Sequence, residues 1–206
     1  MKSKEVSVTR IHLLGIPGSG KDTNAIPLKN RYPDTSDIVS TGDIFRGANS
    51  IDGKFGCYYP ILKPHIENTN NGSLIPDEII VQIVNTELNK RQQNKLFRFI
   101  FTGYPRTLGQ LQEINKTPQN DIFIFLDCNE KIAKNRIEHR YKTDLVTCGI
   151  TRKDDLPEKF PYRLKIFKNL TLPLIVELNQ QNNLITINAN GTFEDVVKEI
   201  EEKVKY

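Results

Sequence analysis

His12-Leu13-Leu14-Gly15-Ile16-Pro17-Gly18-Ser19-Gly20-Lys21-Asp22-Thr23 joins an apolar run to a glycine-rich turn and then to a helical pattern. That order makes a phosphate cradle, because successive backbone N–H groups point into the turn and the positive end of a helix stands behind them. Gly15, Gly18 and Gly20 let the backbone approach phosphate oxygens where a Cβ would intrude, Ser19 lies between them, and Lys21 sets an ammonium against the β and γ oxygens. The hydroxyl that usually follows the lysine, as a magnesium ligand, comes one residue later at Thr23, and Asp22 holds its place. The stretch is a nucleotide-holding loop with a carboxylate brought toward polyphosphate.

The rest of the chain supports a cytoplasmic α/β domain. At 206 residues it can bury a sizeable core without staples. Its three cysteines, Cys57, Cys128 and Cys148, are far apart and show neither a disulfide framework nor zinc-ligand spacing, so a reducing compartment is expected. The early apolar segment 11–16 is too short for a membrane span or a signal core and runs straight into the loop. With 29 basic and 25 acidic residues the net charge of +4 is mild, which argues against a nucleic-acid coat. The arginines are nevertheless concentrated in short motifs, at Arg46, Arg106, Arg136, Arg140, Arg152 and Arg163, as a cationic pocket would require.

Strand patterns at 8–14, 38–40, 96–101, 121–127 and 184–187 alternate with helical patterns, which predicts a parallel sheet with its ligand crevice at the strand C-termini. The first helix is expected over 21–32, kinked or cut short at Pro27. Residues 50–71 are helical but interrupted by Gly53, Gly56, Pro60 and Pro64, the composition of a small mobile lobe. The helix from Asn129 is expected to end near Arg140, and Arg136 and Arg140, four apart, project from one face. That spacing serves a solvated basic face as well as a shared anion. Pro173 predicts another kink, and 193–204 reads as a closing amphipathic helix.

Gly-x-Pro-Gly-x-Gly-Lys at 15–21 with Thr23, Ser40-Thr41-Gly42-Asp43 with Arg46, Gly103-Tyr104-Pro105-Arg106-Thr107 with Gln110, and Thr151-Arg152-Lys153-Asp154-Asp155 with Arg163 together resemble the adenylate kinases, within the nucleoside monophosphate kinase family. The resemblance covers nearly the whole chain and implies a P-loop three-layer α/β fold with a five-stranded parallel sheet. It implies core segments 1–41, 76–140 and 152–206, a small helical AMP-binding lobe over 42–75 and a short lid over 141–151.

It also implies roles. ATP would meet Gly15, Gly18, Ser19, Gly20, Lys21, Asp22, Thr23, Arg136, Arg140 and Gly191; AMP would meet Thr41, Arg46, Gly103, Arg106, Gln110, Arg152 and Arg163. Thr41 and Gln110 would face adenine, while Lys21, Arg106, Arg140, Arg152 and Arg163 would hold the transferring group. The expected reaction is transfer of the γ-phosphate of ATP to AMP with Mg²⁺, giving two ADP, in a monomer with no nucleic-acid or membrane partner. It needs no side-chain nucleophile: alignment, charge neutralisation and exclusion of water suffice.

Two residues depart from the family pattern. Asp22 stands where the family has Gly, and Thr102 stands where it has the aspartate that carries the magnesium water shell. Asp22 is the candidate to take over that carboxylate's work. The pair of departures also leaves room for a nucleotide-binding relative with weakened chemistry, and the sequence leaves GTP as donor and UMP or CMP as acceptor open.

Overall fold

The computed structural model describes residues 8–117, 119–148 and 156–205. In chain order the elements are β1 (Thr9–Leu14), α1 (Lys21–Asn30), β2 (Ser36–Ser40), α2 (Thr41–Gly47), α3 (Tyr59–Leu62), α4 (Ile66–Asn70), α5 (Asp77–Gln92), β3 (Arg98–Thr102), α6 (Leu108–Lys116), β4 (Asn120–Asp127), α7 (Glu130–Cys148), α8 (Phe160–Ile166), α9 (Leu172–Gln180), β5 (Ile185–Asn188) and α10 (Phe193–Lys203). The five strands form one parallel sheet in the order β2-β3-β1-β4-β5, flanked by helices, as the sequence predicts.

This order positions the site. From β1 the chain runs outward past β3 to β2, returns to β3, and then crosses to the far side of β1 to begin β4. Connections diverge beside β1, and in an open parallel sheet the crevice for a ligand opens at that divergence, past the strand C-termini. Three loops therefore meet at one mouth: the phosphate cradle after β1, the start of α2 after β2, and the Gly103–Thr107 turn after β3.

β1 is buried along its whole length, which suits a central parallel strand covered on both faces. Ile11, Leu13, Val39, Phe99, Phe101, Ile124 and Leu126 are fully enclosed, each side chain contributing roughly 1.5–3 kcal/mol of burial. On one side of the core α1 packs on β1, β2 and β3 and touches α10, which also covers β5; elsewhere α6 meets both α5 and α9.

Local chemistry modifies several expectations. α1 runs unbroken across Pro27 from Lys21 to Asn30, so the proline costs a hydrogen bond without ending the helix. Pro173 sits in the first turn of α9, and the wider π-helical turn Phe167–Thr171 just before it absorbs the mismatch in place of a simple kink. α7 does not stop at Arg140 but continues to Cys148, well into the segment assigned to a lid. The interrupted region 50–71 resolves into short helical pieces, two of them α3 and α4, and Tyr58 ties it down by donating to the buried carboxylate of Glu87 on α5 at 2.7 Å.

Candidate active site

The cradle begins with backbone geometry. Gly18 adopts φ +82°, and a Cβ there would stand 2.3 Å from the Ala133 carbonyl oxygen of α7. Its glycine is therefore demanded by the helix packed beneath the loop, besides any phosphate above it. α1 starts at Lys21, with left-handed Gly20 as its cap, so the helix N-terminus faces the cleft as expected.

Lys21 folds over its own loop. Its ammonium donates to the carbonyls of Gly15 at 2.7 Å and Ile16 at 2.8 Å and to Ser19 Oγ at 3.3 Å. Burial, reinforced by the charges of Arg106, Arg163 and Arg140 and opposed by Asp22, lowers its pKa to about 7. Four cationic side chains thus share one enclosed field, an arrangement that favours an anion of high charge.

That field occupies a cleft of about 320 Å³ lined by the cradle, Ser40, Arg46, Thr102, Gly103, Arg106, Arg136, Arg140 and Arg163. A second hollow, lined by Thr41, Phe45, Arg46, Arg106, Gln110 and Arg163 among others, lies alongside and shares these three arginines with it. Of the sequence-predicted donor and acceptor residues that are described, all but Ser19 and Gly191 line one of these adjoining spaces. Arg152 lies outside the described residues, as does the rest of the Thr151–Asp155 motif.

The acceptor-side loop is held at nearly every residue. Thr41 Oγ1 donates to the Gly103 carbonyl at 3.0 Å, and Arg106 Nε donates to the same oxygen at 3.0 Å. Gln110 Oε1 accepts the Arg106 backbone N–H at 2.7 Å, while its amide donates to Asp77 Oδ1 at 2.7 Å. Thr171, in the π-helical turn, donates to the Arg106 carbonyl at 2.9 Å, and Thr107 donates to Asp77 at 2.6 Å. Gly103 has φ +81°, and a Cβ there would strike Thr41 Oγ1 at 2.6 Å.

Two other arginines are engaged within the protein. Arg46, which lines both hollows, pairs with Asp43 three residues earlier on α2 at 2.5 Å. Arg136 donates to the carbonyls of Ala189 at 2.9 Å and Gly191 at 2.8 Å, fastening the turn after β5 to α7, which puts both sequence-predicted residues Arg136 and Gly191 in one contact. Asp22 is exposed at the lip of the cleft, and across it the buried Thr102 hydroxyl has no hydrogen-bond partner among the described residues.

Sequence reasoning missed Ser40, which caps α2 by accepting the Asp43 N–H at 3.1 Å; a serine three residues before an aspartate is a cap signal and could have found it. It also missed Asp77 and Thr171 as supports of the arginine loop. Neither has a local signal, because each meets its partner across at least 30 residues of chain.

A glycine-rich anion cradle at the switch point of a parallel sheet, faced by arginines from four other segments, defines a P-loop nucleoside-phosphate kinase fold. The adenylate kinase family profile matches residues 13–183. The chain is similar to the adenylate kinase of Oenococcus oeni, 34% identical with 94% of this chain and 96% of the relative covered. It is also similar to those of Agrobacterium fabrum, 32% identical over 93% and 95%, and Mycoplasma capricolum, 32% identical over 95% and 99%. The chain belongs to the adenylate kinase family.

Proposed function

We propose that this chain catalyses reversible transfer of the γ-phosphoryl group of ATP to AMP, giving two ADP. The observation that carries the reading is the shared field of Lys21, Arg106, Arg140 and Arg163 at the junction of the two hollows, where a phosphoryl group in transit would lie. Lys21 and the cradle of Gly15, Gly18, Ser19, Gly20 and Thr23 hold the donor polyphosphate, with Asp22 at their edge and Arg136, Arg140 and Gly191 on the nucleotide side. Arg46 and Arg106 hold the acceptor phosphate, Gly103 gives it room, and Arg163, with Arg152, bridges the two. An AMP oxygen attacks the γ-phosphorus directly, so no protein nucleophile is needed.

Adenine enters the second hollow against Thr41 and Gln110. Thr41 Oγ1 spends its proton on the Gly103 carbonyl, which leaves oxygen lone pairs able to accept from an exocyclic amine. This favours adenine over uracil, which has no exocyclic amine. Segment 42–75 acts as the acceptor lobe and 141–151 as a short lid that excludes water, the first part of that lid being the end of α7.

The cofactor is Mg²⁺. No group of three or more acidic, histidine or cysteine side chains that could cage a metal occurs among the described residues, so phosphate oxygens and water would supply most of its shell. Asp22 at the lip, through water, and the Thr102 hydroxyl, which has no hydrogen-bond partner among the described residues, fit such a hydrated ion. Bound there, the ion would neutralise charge on the β and γ phosphates. We place the enzyme in the cytoplasm as a monomer acting on free nucleotides, with no nucleic-acid or membrane partner; its mild net charge of +4 supports the absence of a nucleic-acid partner.

The test is a coupled ADP-formation assay on the full chain with Arg46→Ala and Arg106→Ala. Each variant should raise the AMP KM at least about tenfold, since a desolvated phosphate loses a charged partner. Wild-type behaviour of both toward AMP would overturn the acceptor site.

A further inference from the structure

We propose that His12 is a positioning residue for Arg106, acting through a proton-dependent hydrogen bond to the Tyr104 carbonyl. This rests on the acceptor role given to Arg106 above. His12 lies on β1, three residues before the cradle, and is fully buried. Its ring is stacked between Phe101 of β3, at a centroid distance of 4.9 Å and 10°, and Phe123 of β4, at 4.6 Å and 14°. The two phenyl rings fix the plane of the imidazole, and so fix where its nitrogens point.

Both nitrogens point at acceptors. Nδ1 is 3.2 Å from the Tyr104 carbonyl oxygen, and Nε2 is 2.9 Å from Asp121 Oδ1. A carbonyl has no proton to give. Asp121 is gripped by Arg10, whose Nε and Nη2 donate to its two oxygens at 2.7 and 2.6 Å; burial raises its pKa, but the hydrogen bond to His12 and then this fork outweigh burial and hold it low. Only an imidazolium, with an N–H on each side, satisfies both neighbours. A neutral ring has a single N–H and must turn a lone pair toward one of them.

The charges around the ring decide which contact is surrendered. Asp121 from β4 favours the imidazolium, Arg10 from β1 disfavours it, and burial opposes it most, so the ring loses its second proton below the usual histidine range. Tyr104 brings its carbonyl to His12 and also its ring, tilted at 50° with a centroid distance of 6.4 Å, and the charged groups acting on Tyr104 itself are Arg10 and Asp121 again, with Glu113 of α6 and Asp77 of α5. In the neutral ring the N–H stays on Nε2, toward the shorter contact with a carboxylate, and the Tyr104 carbonyl is released.

Tyr104 lies between Gly103, whose carbonyl takes the Arg106 side chain, and Arg106 itself. The other ties on this loop, from Thr41, Gln110 and Thr171, involve hydroxyls and amides that do not titrate near neutrality. The His12 contact is the tie on Tyr104 that responds to pH. Nothing in β1 as a sequence marks it, since Asp121 is 109 residues away and Tyr104 is 92.

The test compares AMP and ATP KM values of wild type and His12→Phe across pH, because phenylalanine keeps the aromatic stack while removing both N–H groups. Titration of AMP and of Lys21 cancels in the variant-to-wild-type ratio. That ratio for AMP should be about tenfold on the acid side and fall toward one as His12 loses its proton, with the ATP ratio within about twofold throughout. A ratio of one everywhere, or a raised ratio independent of pH, overturns the proposal. Should His12→Phe not fold, ¹⁵N spectra of the His12 ring in the wild-type chain decide: loss of the Nδ1 proton with retention of Nε2–H supports it, and a ring unchanged from about pH 4 to about pH 9 overturns it. Failure of the functional reading is separately visible, as absence of ADP formation by wild type; the ring spectra stand apart from that result.

Discussion

Gln110 Oε1 accepts the backbone N–H of Arg106 at 2.7 Å, and the same side chain donates to Asp77 at 2.7 Å, so this buried amide braces the arginine loop from beneath. Sequence alone gave it a role in reading adenine. The two roles separate experimentally, because bracing affects every acceptor while base reading affects only adenine.

Gln110→Ala strands the Arg106 N–H and one Asp77 oxygen, a loss of about 1–3 kcal/mol in a buried setting. Bracing predicts that KM rises about tenfold for AMP and by a similar factor for CMP and UMP. In the wild type, AMP should exceed both pyrimidines in kcat/KM by at least about tenfold, and a Gln110→Ala loss confined to AMP would assign part of that selection to Gln110. Steady-state assays with all three acceptors provide the check, and equal wild-type turnover of UMP contradicts adenine selection.

Lys21, its pKa lowered to about 7 by burial and by the neighbouring arginines, is partly deprotonated in the nucleotide-free protein near neutral pH. Binding of polyphosphate favours its charged form, so nucleotide binding near neutrality should be accompanied by proton uptake. Calorimetric titrations in buffers of different ionisation enthalpy measure this directly, and Lys21→Met should abolish it. The sign for stability follows too: between about pH 7 and about pH 10 the unfolded chain holds this proton and the folded one does not, so this group adds stability as pH rises through that window.

Asp22 and Thr102 face the same cleft, one carrying a carboxylate and the other a hydroxyl without a partner among the described residues. Without metal a carboxylate this near to triphosphate is repulsive by several kcal/mol at an effective dielectric of about 20, so nucleotide affinity should depend steeply on Mg²⁺. Asp22→Gly should flatten that dependence and lower activity, and Thr102→Asp on top of it should restore both. Equilibrium ATP binding at graded Mg²⁺, measured beside rate, is the readout; Asp22→Gly with unchanged magnesium dependence refutes the substitution idea.

Gly18→Ala forces a left-handed backbone on a residue with a side chain and drives its Cβ to 2.3 Å from the Ala133 carbonyl. The cost should be about 2–4 kcal/mol, combining backbone strain and overpacking. Thermal unfolding without nucleotide should show a Tm lower by at least several degrees, which distinguishes loss of packing on α7 from mere loss of phosphate affinity.

The sequence by itself determined the cradle at 15–23, the parallel α/β arrangement and the short motifs that carry Arg46, Arg106 and Gln110. These are features written within a few residues, where hydrophobic period, glycine spacing and turn chemistry act locally. Continuation of α7 to Cys148 was not read from the sequence although Gly149, a residue type that commonly follows a helix end, directly succeeds it, because the lid expectation came from family likeness. Tertiary structure alone decided that Thr171 reaches the Arg106 carbonyl, that Gln110 braces the loop it follows, and that His12 lies between two phenylalanines with acceptors on both sides. It also decided the low pKa of Lys21, because desolvation and the convergence of Arg106, Arg140 and Arg163 exist only once the strand order has brought their segments to one mouth. Pairings across 65 or 109 residues are set by sheet register and helix packing, and no local pattern of side chains encodes them.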